Sequence, residues 1–410
     1  MKNNTILLCL LIFFLNVLNA EERLWAGCNQ YQLWFQYPSR IDMQLDWMVE
    51  SDLQVLRIFL GSRGYQSWED PPFAYSFENP IGVYNEYNLE LVDYLMAECA
   101  ERGIKMVIAL ENRSDPYLST FGAVGMYENP SSIQAYKDRF THFLNHYNAL
   151  LDAQWKDLND VVWAWEIQNE PGIPLININY LTPAEKHDII RNFLTELSSH
   201  LKMEDPDTKV SLGIAGYAYY YHGGGSGDDI QTLGDIPDAD IYNLHFYGGN
   251  LQSWINDNLG YCRSIGKLLY VQEFGATRGT GMGNMINVYN NVTQICRQNG
   301  VPWMFWRMGH RIDDGTWSIN IDDAVWQQEV APEAHLIVQQ LTDDPWGISG
   351  TVGDVTGEGD LDILDLVTIV GYILDQYEFT PQQIASADFN LDGEVDVLDV
   401  VELVEIVLTP

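Results

Sequence analysis

Two glutamates stand at the ends of strand-like runs, each in a setting that could put a carboxylate to chemical use. In Trp163-Ala164-Trp165-Glu166-Ile167-Gln168-Asn169-Glu170-Pro171, an apolar run opened by Val161 and Val162 breaks into an amide, a carboxylate and a proline. β-Branched and aromatic residues favour a buried strand, and Pro171 cannot continue the hydrogen-bond ladder, so Asn169 and Glu170 emerge where strand becomes loop. Leu268-Leu269-Tyr270-Val271-Gln272-Glu273-Phe274-Gly275 repeats the design and delivers Glu273 beside a glycine. Two strand-end acids can divide a reaction between them, one giving a proton while the other, ionised, attacks.

The elements that must position them follow from the spacing. Positions 170 and 273 lie 103 residues apart, about three βα units of roughly 30 residues or more. That separation places the acids on the fourth and seventh strands, which face one another across the mouth of a (β/α)8 barrel, where catalytic groups come from C-terminal strand ends. Eight candidate strands begin near Leu24, Val55, Lys105, Val161, Lys209, Asp240, Leu268 and Pro302, and most are followed by helical periodicity. Asn88 to Gly103 puts Leu91, Leu95, Met96 and Cys99 on one helical face and ends in a C-cap glycine. Thr182-Pro183-Ala184-Glu185 opens another helix with an N-cap and a proline at its first position. The pattern predicts an α/β fold, a (β/α)8 TIM barrel over residues 21–341. An open doubly wound sheet is the alternative, but no glycine-rich phosphate loop follows the first strand.

Other strand ends supply further site candidates. Arg57 ends the run Val55-Leu56, and a cation within reach of a carboxylate keeps it ionised. His245 and Tyr247 close the sixth strand on alternate positions, pointing the same way into the mouth. Trp306 ends the eighth strand, where an indole face suits the apolar C–H face of a sugar ring. Asn112, just beyond strand three, either bonds a sugar hydroxyl or caps its loop. The 13 Trp and 23 Tyr of the chain fit a glycan-binding cleft, although many must be core.

Taken together, Asn169-Glu170-Pro171, Glu273-Phe274-Gly275, Arg57, His245, Tyr247 and Trp306 resemble the site set of glycoside hydrolase family 5, within the clan of (β/α)8 retaining glycosidases, over roughly residues 24–341. The resemblance implies Glu170 as general acid/base, Glu273 as nucleophile and Asn169 as donor to the 2-hydroxyl. It implies that Arg57 and Tyr247 set the state of Glu273, that His245 supports the site, and that Trp306 floors the subsite of the cleaved sugar. Many cellulases of the family carry a histidine where Asn112 aligns; the β-mannanase branch is similar to this chain there and in Trp163-Ala164-Trp165-Glu166. The implied activity is retaining endo-β-1,4-mannan hydrolysis, which needs two carboxyl groups about 5 to 5.5 Å apart and no cofactor. A β-1,4-glucanase or transglycosylase is the alternative enzyme; a silent carbohydrate-binding scaffold is the alternative of another class.

Composition agrees with an exported, polysaccharide-directed protein. The formal net charge of −37 repels nucleic acid and anionic membranes. Residues 1–20 read as a cleavable secretory signal, with one early lysine, an apolar run from Ile6 to Leu15 and a small residue at Ala20. That run is shorter than the roughly 20 residues needed to span a bilayer, and no later stretch qualifies, so membrane insertion is not expected. Cys28, Cys99, Cys262 and Cys296 lack metal-ligand spacing; they are either disulfide-bonded or buried thiols.

After a linker at 342–350 comes a duplicated acidic motif in a stretch, 351–410, without Lys or Arg. The loop from Asp354 through Thr356, Glu358, Asp360 and Asp362 to Asp365 aligns with Asp388, Asn390, Asp392, Glu394, Asp396 and Asp399. Oxygen side chains fall at positions 1, 3, 5, 9 and 12 with glycine at 6, as a calcium loop demands, and position 7 contributes through its backbone. Each loop leads into an apolar helix, Leu366 to Leu374 and Val400 to Leu408. This module resembles a type I dockerin, which implies two Ca2+ ions, a cohesin partner on a scaffold or cell surface, and an extracellular or surface-attached location. Clostridial dockerins often place small hydroxyl residues just before the last ligand; here Ile363-Leu364 and Val397-Leu398 stand there.

Overall fold

The computed structural model describes residues 24–61, 76–112, 116–216, 229–309 and 317–343, and towards the C-terminus 355–356, 363–374, 376, 379, 381–387 and 395–407. The predicted signal segment, most of the linker, and Asp354, Glu358, Asp360, Asp362, Asp388, Asn390, Asp392 and Glu394 lie outside these residues.

Eight parallel strands close into a barrel: β1 Ala26–Asn29, β2 Val55–Phe59, β3 Lys105–Ala109, β4 Val162–Glu166, β5 Lys209–Ser211, β6 Ile241–Phe246, β7 Leu268–Phe274 and β8 Trp303–Trp306. Their hydrogen-bonded order around the ring is β1-β8-β7-β6-β5-β4-β3-β2. Each predicted strand start lies within two residues of the observed one. Helices α1 Pro38–Glu50, α2 Glu86–Glu101, α3 Tyr117–Glu128, α4 Pro130–Leu144, α5 Pro183–Glu204, α6 Ile230–Leu233, α7 Leu251–Ser264, α8 Met282–Gln298 and α9 Ala331–Asp343 surround it. Thr182 and Glu185 form a reciprocal capping box at the start of α5, satisfying two otherwise orphaned donors. α2 starts two residues before the predicted Asn88, because the Asn85 side chain accepts the Asn88 N–H. Its buried face is Leu89, Val92, Leu95, Met96 and Cys99, which moves the expected Leu91 to the edge.

The strand period of two stacks the barrel interior in layers. The floor is apolar: Trp25, Val55, Val107, Ala164, Ile241, Tyr270 and Met304 pack together. Two residues further along four of these strands stand Arg57, Glu166, Asn243 and Gln272, all fully buried. One more step reaches Phe59 and His245, while Ala109 and Trp306, one step beyond the floor on their own strands, cluster with Phe59 and Tyr31. The alternation breaks once on β7. Leu244 pairs with Val271 but His245 pairs with Glu273, so Gln272 is an extra residue, and this bulge turns both Gln272 and Glu273 inward.

Among the described residues Cys28, Cys99, Cys262 and Cys296 are buried free thiols, which resolves the open pairing. Burial pushes their pKa values up, so they serve as apolar filling rather than nucleophiles. Among the described residues no helix is long and apolar enough to cross a membrane.

Towards the C-terminus, α10 Ile363–Ile373, α11 Pro381–Ala387 and α12 Val397–Val407 pack around Val355, Leu366, Ile369, Ala387 and Leu403. Both long helices begin three residues before the predicted Leu366 and Val400. Asp365 and Asp399 therefore sit in first helical turns, where the helix dipole favours a carboxylate.

Candidate active site

Arg57 is the centre of the mouth. Its Nη1 donates to Glu273 Oε1 at 2.6 Å and to Asn29 Oδ1 at 2.9 Å. Its Nε and Nη2 grip Glu166 at 3.0 and 2.6 Å, and Nη2 also reaches Asn169 Oδ1 at 2.8 Å. Burial pulls the guanidinium pKa down, but Glu166 and Glu273 more than reverse it, so the cation is permanent. One fixed positive group thus orients the carboxylate of β7 and the amide that precedes Glu170.

Glu273 receives a second donor from Tyr247, whose hydroxyl lies 2.8 Å from Oε2. Burial first, and Glu273 next, push the Tyr247 phenol well above its ordinary range, so it keeps its proton. Glu170 approaches from the other side, with Oε1 3.0 Å from His245 Nδ1. The nearest carboxylate oxygens of Glu170 and Glu273, together with a ring nitrogen of His245, lie within 4.8 Å of one another. Burial alone would lower the His245 pKa; Glu273 and Glu170 outweigh it, against Arg57, and hold it above the ordinary value.

The backbone at Glu170 is left-handed, with φ +49°, and its N–H bonds Gly213 O at 2.7 Å. Only glycine fits at 213, where φ is +74° and an added Cβ would lie 2.1 Å from Gln168 O. A non-glycine residue held in this region is found where the surroundings over-determine it, as at functional sites. Asn169 is fixed twice more, by its N–H to Glu111 O at 2.9 Å and by Nδ2 to Asn112 Oδ1 at 3.1 Å. Asn112 is 4% exposed, so its oxygen holds Asn169 rather than capping its own loop. Trp306 remains partly exposed and stacks on Tyr31 at 5.5 Å and 7°, a flat aromatic floor of the kind a pyranose face covers.

The structure brings Arg57, Asn112, Asn169, Glu170, His245, Tyr247, Glu273 and Trp306 to one mouth. Sequence reasoning missed Asn29, Glu166, Gln272 and Tyr31 as parts of it. Asn29, Glu166 and Gln272 occupy inward positions on β1, β4 and β7, a signal the period of two carries; the bulge on β7 instead brings in Glu273, which lies out of that period.

A model of the family described as cellulase (glycosyl hydrolase family 5) matches residues 20–311. The chain belongs to glycosyl hydrolase family 5. It is therefore a glycoside hydrolase, and the family's mechanism retains anomeric configuration and needs no cofactor. Among similar proteins, mannan endo-1,4-beta-mannosidase A of Podospora anserina is 25% identical over 332 residues, covering 73% of this chain and 82% of that protein. Probable mannan endo-1,4-beta-mannosidase F of Aspergillus flavus is 24% identical over 282 residues, with 63% of this chain matching only 58% of that protein's length. The family 5 barrel also superposes on the endo-beta-1,4-mannanase of Thermotoga petrophila with a TM-score of 0.62 at 23% identity, covering 77% of each chain. For the endo-1,4-beta-mannanase of Rhizomucor miehei the TM-score is 0.63 at 21% identity, covering 77% of this chain and 95% of that one.

Residues 352–408 match the dockerin type I domain, a calcium-binding module whose presence implies a cohesin partner and suggests an extracellular enzyme. The described donors fit such an ion. Asp365 and Asp399 are 0% exposed, and residues 351–410 contain no Lys, Arg or His. Asp365 Oδ1 accepts from the N–H groups of Val355 and Thr356 at 3.0 and 3.1 Å, folding the start of the first loop onto its last residue. Asp399 Oδ2 likewise accepts from Asp396 N at 2.7 Å. The set is all oxygen, as a hard cation prefers.

Proposed function

We propose that the protein is a secreted endo-β-1,4-mannanase working by double displacement, with Glu170 as acid/base and Glu273 as nucleophile. The observation that carries the mechanism is the approach of the two acids to within 4.8 Å, close to the roughly 5 to 5.5 Å of retaining enzymes and short of the 6.5 to 9.5 Å that an inverting water requires. In the first step Glu170 protonates the departing oxygen while Glu273, held by Arg57 and Tyr247, attacks the anomeric carbon and forms a glycosyl ester. In the second, Glu170 takes a proton from water as the water displaces Glu273. Asn169, pinned by Arg57 and Asn112, presents its amide to the 2-hydroxyl, and Trp306 underlies the cleaved sugar. Mannan as substrate is supported by the relatives named above and by asparagine at 112.

The test is hydrolysis of mannan, cellulose and xyloglucan by the wild type and by Glu273→Ala. Mannan should be cleaved fastest to products first released as the β anomer, and the variant should lose at least about 10³-fold. Cellulose cleaved faster than mannan would overturn the substrate; near wild-type cleavage by Glu273→Ala would overturn the nucleophile.

For the C-terminal module the reading is two calcium ions. Asp354, Thr356, Glu358, Asp360, Asp362 and Asp365 would hold the first; Asp388, Asn390, Asp392, Glu394, Asp396 and Asp399 would hold the second. The ions would supply the charge that orders α10 and α12. The cohesin face is read as the repeated apolar patch Ile363, Leu364 and Val367 with Val397, Leu398 and Val401, each more than half exposed. Leu364→Asp combined with Leu398→Asp should abolish retention on cohesins that capture the wild type; undiminished capture would rule this face out.

A further inference from the structure

We propose that Gln272 is a positioning residue that fixes the tautomer of His245 and thereby sets the pH at which the Glu170–His245 pair gives up its last proton. The inference rests on the reading of Glu170 as acid/base and goes beyond it.

Arg57 donates to both oxygens of Glu166, so this salt-bridged carboxylate acts as an acceptor. Gln272 lies against Glu166 Oε2, and a carboxylate can be met there only by the amide NH2. The same Nε2 also donates to the Tyr270 hydroxyl. The amide oxygen is thereby turned to His245, with Oε1 2.8 Å from Nε2. Because that oxygen only accepts, His245 Nε2 carries a hydrogen in both charge states. Every proton His245 gains or loses is on Nδ1, 3.0 Å from Glu170 Oε1 and 3.6 Å from Glu273 Oε2. The groups around the imidazole are Arg57 from β2, Glu166 and Glu170 from β4 and its end, Tyr270, Gln272 and Glu273 from β7, and Tyr247 acting through Glu273. Gln272 is 0% exposed, so no water substitutes for it without rearrangement.

This geometry raises the energy of one state. Neutral His245 beside ionised Glu170 would set a nitrogen lone pair against a carboxylate oxygen at 3.0 Å. The pair therefore keeps one shared proton to higher pH, either on Glu170 or on Nδ1. When Glu170 protonates the leaving oxygen, the same proton is replaced from water in the second step, so the cycle balances. Without Gln272 the other neutral tautomer, with hydrogen on Nδ1, becomes available. It would donate to ionised Glu170 and let the shared proton leave at lower pH.

Gln272→Leu should lower the basic limb of kcat/KM on polysaccharide by about one pH unit. On a dinitrophenyl β-glycoside, whose leaving group needs no proton, its rate should stay within about threefold of wild type. Gln272→Glu should restore the limb, because a carboxyl sharing one proton with Glu166 offers the same donor and acceptor. A folded Gln272→Leu with an unmoved basic limb, or equal losses on both substrates, overturns the proposal. Nitrogen-15 chemical shifts of His245 in the wild type give an independent test should that variant not fold: hydrogen on Nε2 throughout supports the proposal, and hydrogen on Nδ1 alone in the neutral ring overturns it. Wild-type polysaccharide hydrolysis by Glu170→Ala would instead sink the acid/base reading, leaving the tautomer result to stand separately.

Discussion

In the barrel, Glu166 and Glu273 each meet Arg57 at 2.6 Å and Glu78 meets Arg139 at 2.8 Å, with all five side chains at most 5% exposed. In the C-terminal repeats Asp365 and Asp399 are as deeply buried, yet residues 351–410 contain no basic side chain of any kind. Burying a carboxylate is costly in both places unless charge and hydrogen bonds offset it. The barrel carries the offsetting cations in its own sequence. On the calcium reading proposed above the module would depend on what it binds, so its folding would be a binding equilibrium while that of the barrel is not.

The largest effect that separates the two regions is chelation. Excess EDTA should remove the helical circular-dichroism signal of α10 to α12 and abolish cohesin capture, while polysaccharide hydrolysis stays within about twofold, since the calcium ligands proposed above all lie outside the catalytic mouth. Parallel loss of hydrolysis would break the comparison, as would a module whose helices survive. Next in size is Arg57→Met, which strands two buried carboxylates and should lower barrel stability by about 3–5 kcal/mol in urea unfolding with EDTA present. Added calcium should restore none of it.

A smaller, paired measurement sharpens the same point. Glu166→Gln leaves Arg57 still bonded to Glu273 and should cost about 1–3 kcal/mol whatever the calcium concentration. Asp399→Asn should weaken the module comparably at low calcium and recover as calcium is raised. A calcium-dependent Glu166→Gln, or a calcium-independent Asp399→Asn, would contradict the assignment of charge sources.

The elements that position the site were legible because strand residues announce themselves. Val55-Leu56, the run before Glu166 and Leu268 to Val271 are apolar runs that end in polar groups, and barrel order then follows from their number and spacing. What stayed hidden was connectivity inside the barrel. Glu166 looked like part of a strand lead-in, although the period of two already turns it inward with Ala164. Gln272 stands in the same relation to Tyr270, but the bulge that lets Gln272 and Glu273 share the inward face is a property of strand pairing and leaves no mark in a single sequence. Asn112 was ambiguous for a related reason: an amide beyond a strand reads the same whether it bonds a ligand or Asn169. In the C-terminal repeats the reverse held. Ligand spacing was plain from the duplication, whereas the helix starts were not, since Asp365 and Asp399 serve both loop and first turn.

The smallest effect is a pH dependence that should appear in one region only. His146, at the end of α4, sits 2.9 Å from Asp93 Oδ2 and 3.5 Å from Glu86 Oε2. Burial lowers its pKa, but Asp93 and then Glu86 reverse this and leave it raised. A raised folded-state pKa means that the stabilisation is complete below the unfolded value of about 6.5 and disappears as pH climbs through the folded value. Barrel stability should therefore decline on passing from about pH 6 to about pH 8, and His146→Gln should lessen that decline, leaving the share that the raised His245 contributes. The module has no histidine between 351 and 410, so its calcium-loaded helices should hold constant over the same range and weaken only in acid, as protons compete for the ligand carboxylates. Urea midpoints for the barrel and calcium titrations for the module, taken across that pH range, would decide it; a module that declines with the barrel, or a His146→Gln barrel that declines as steeply as wild type, would assign the dependence to other groups.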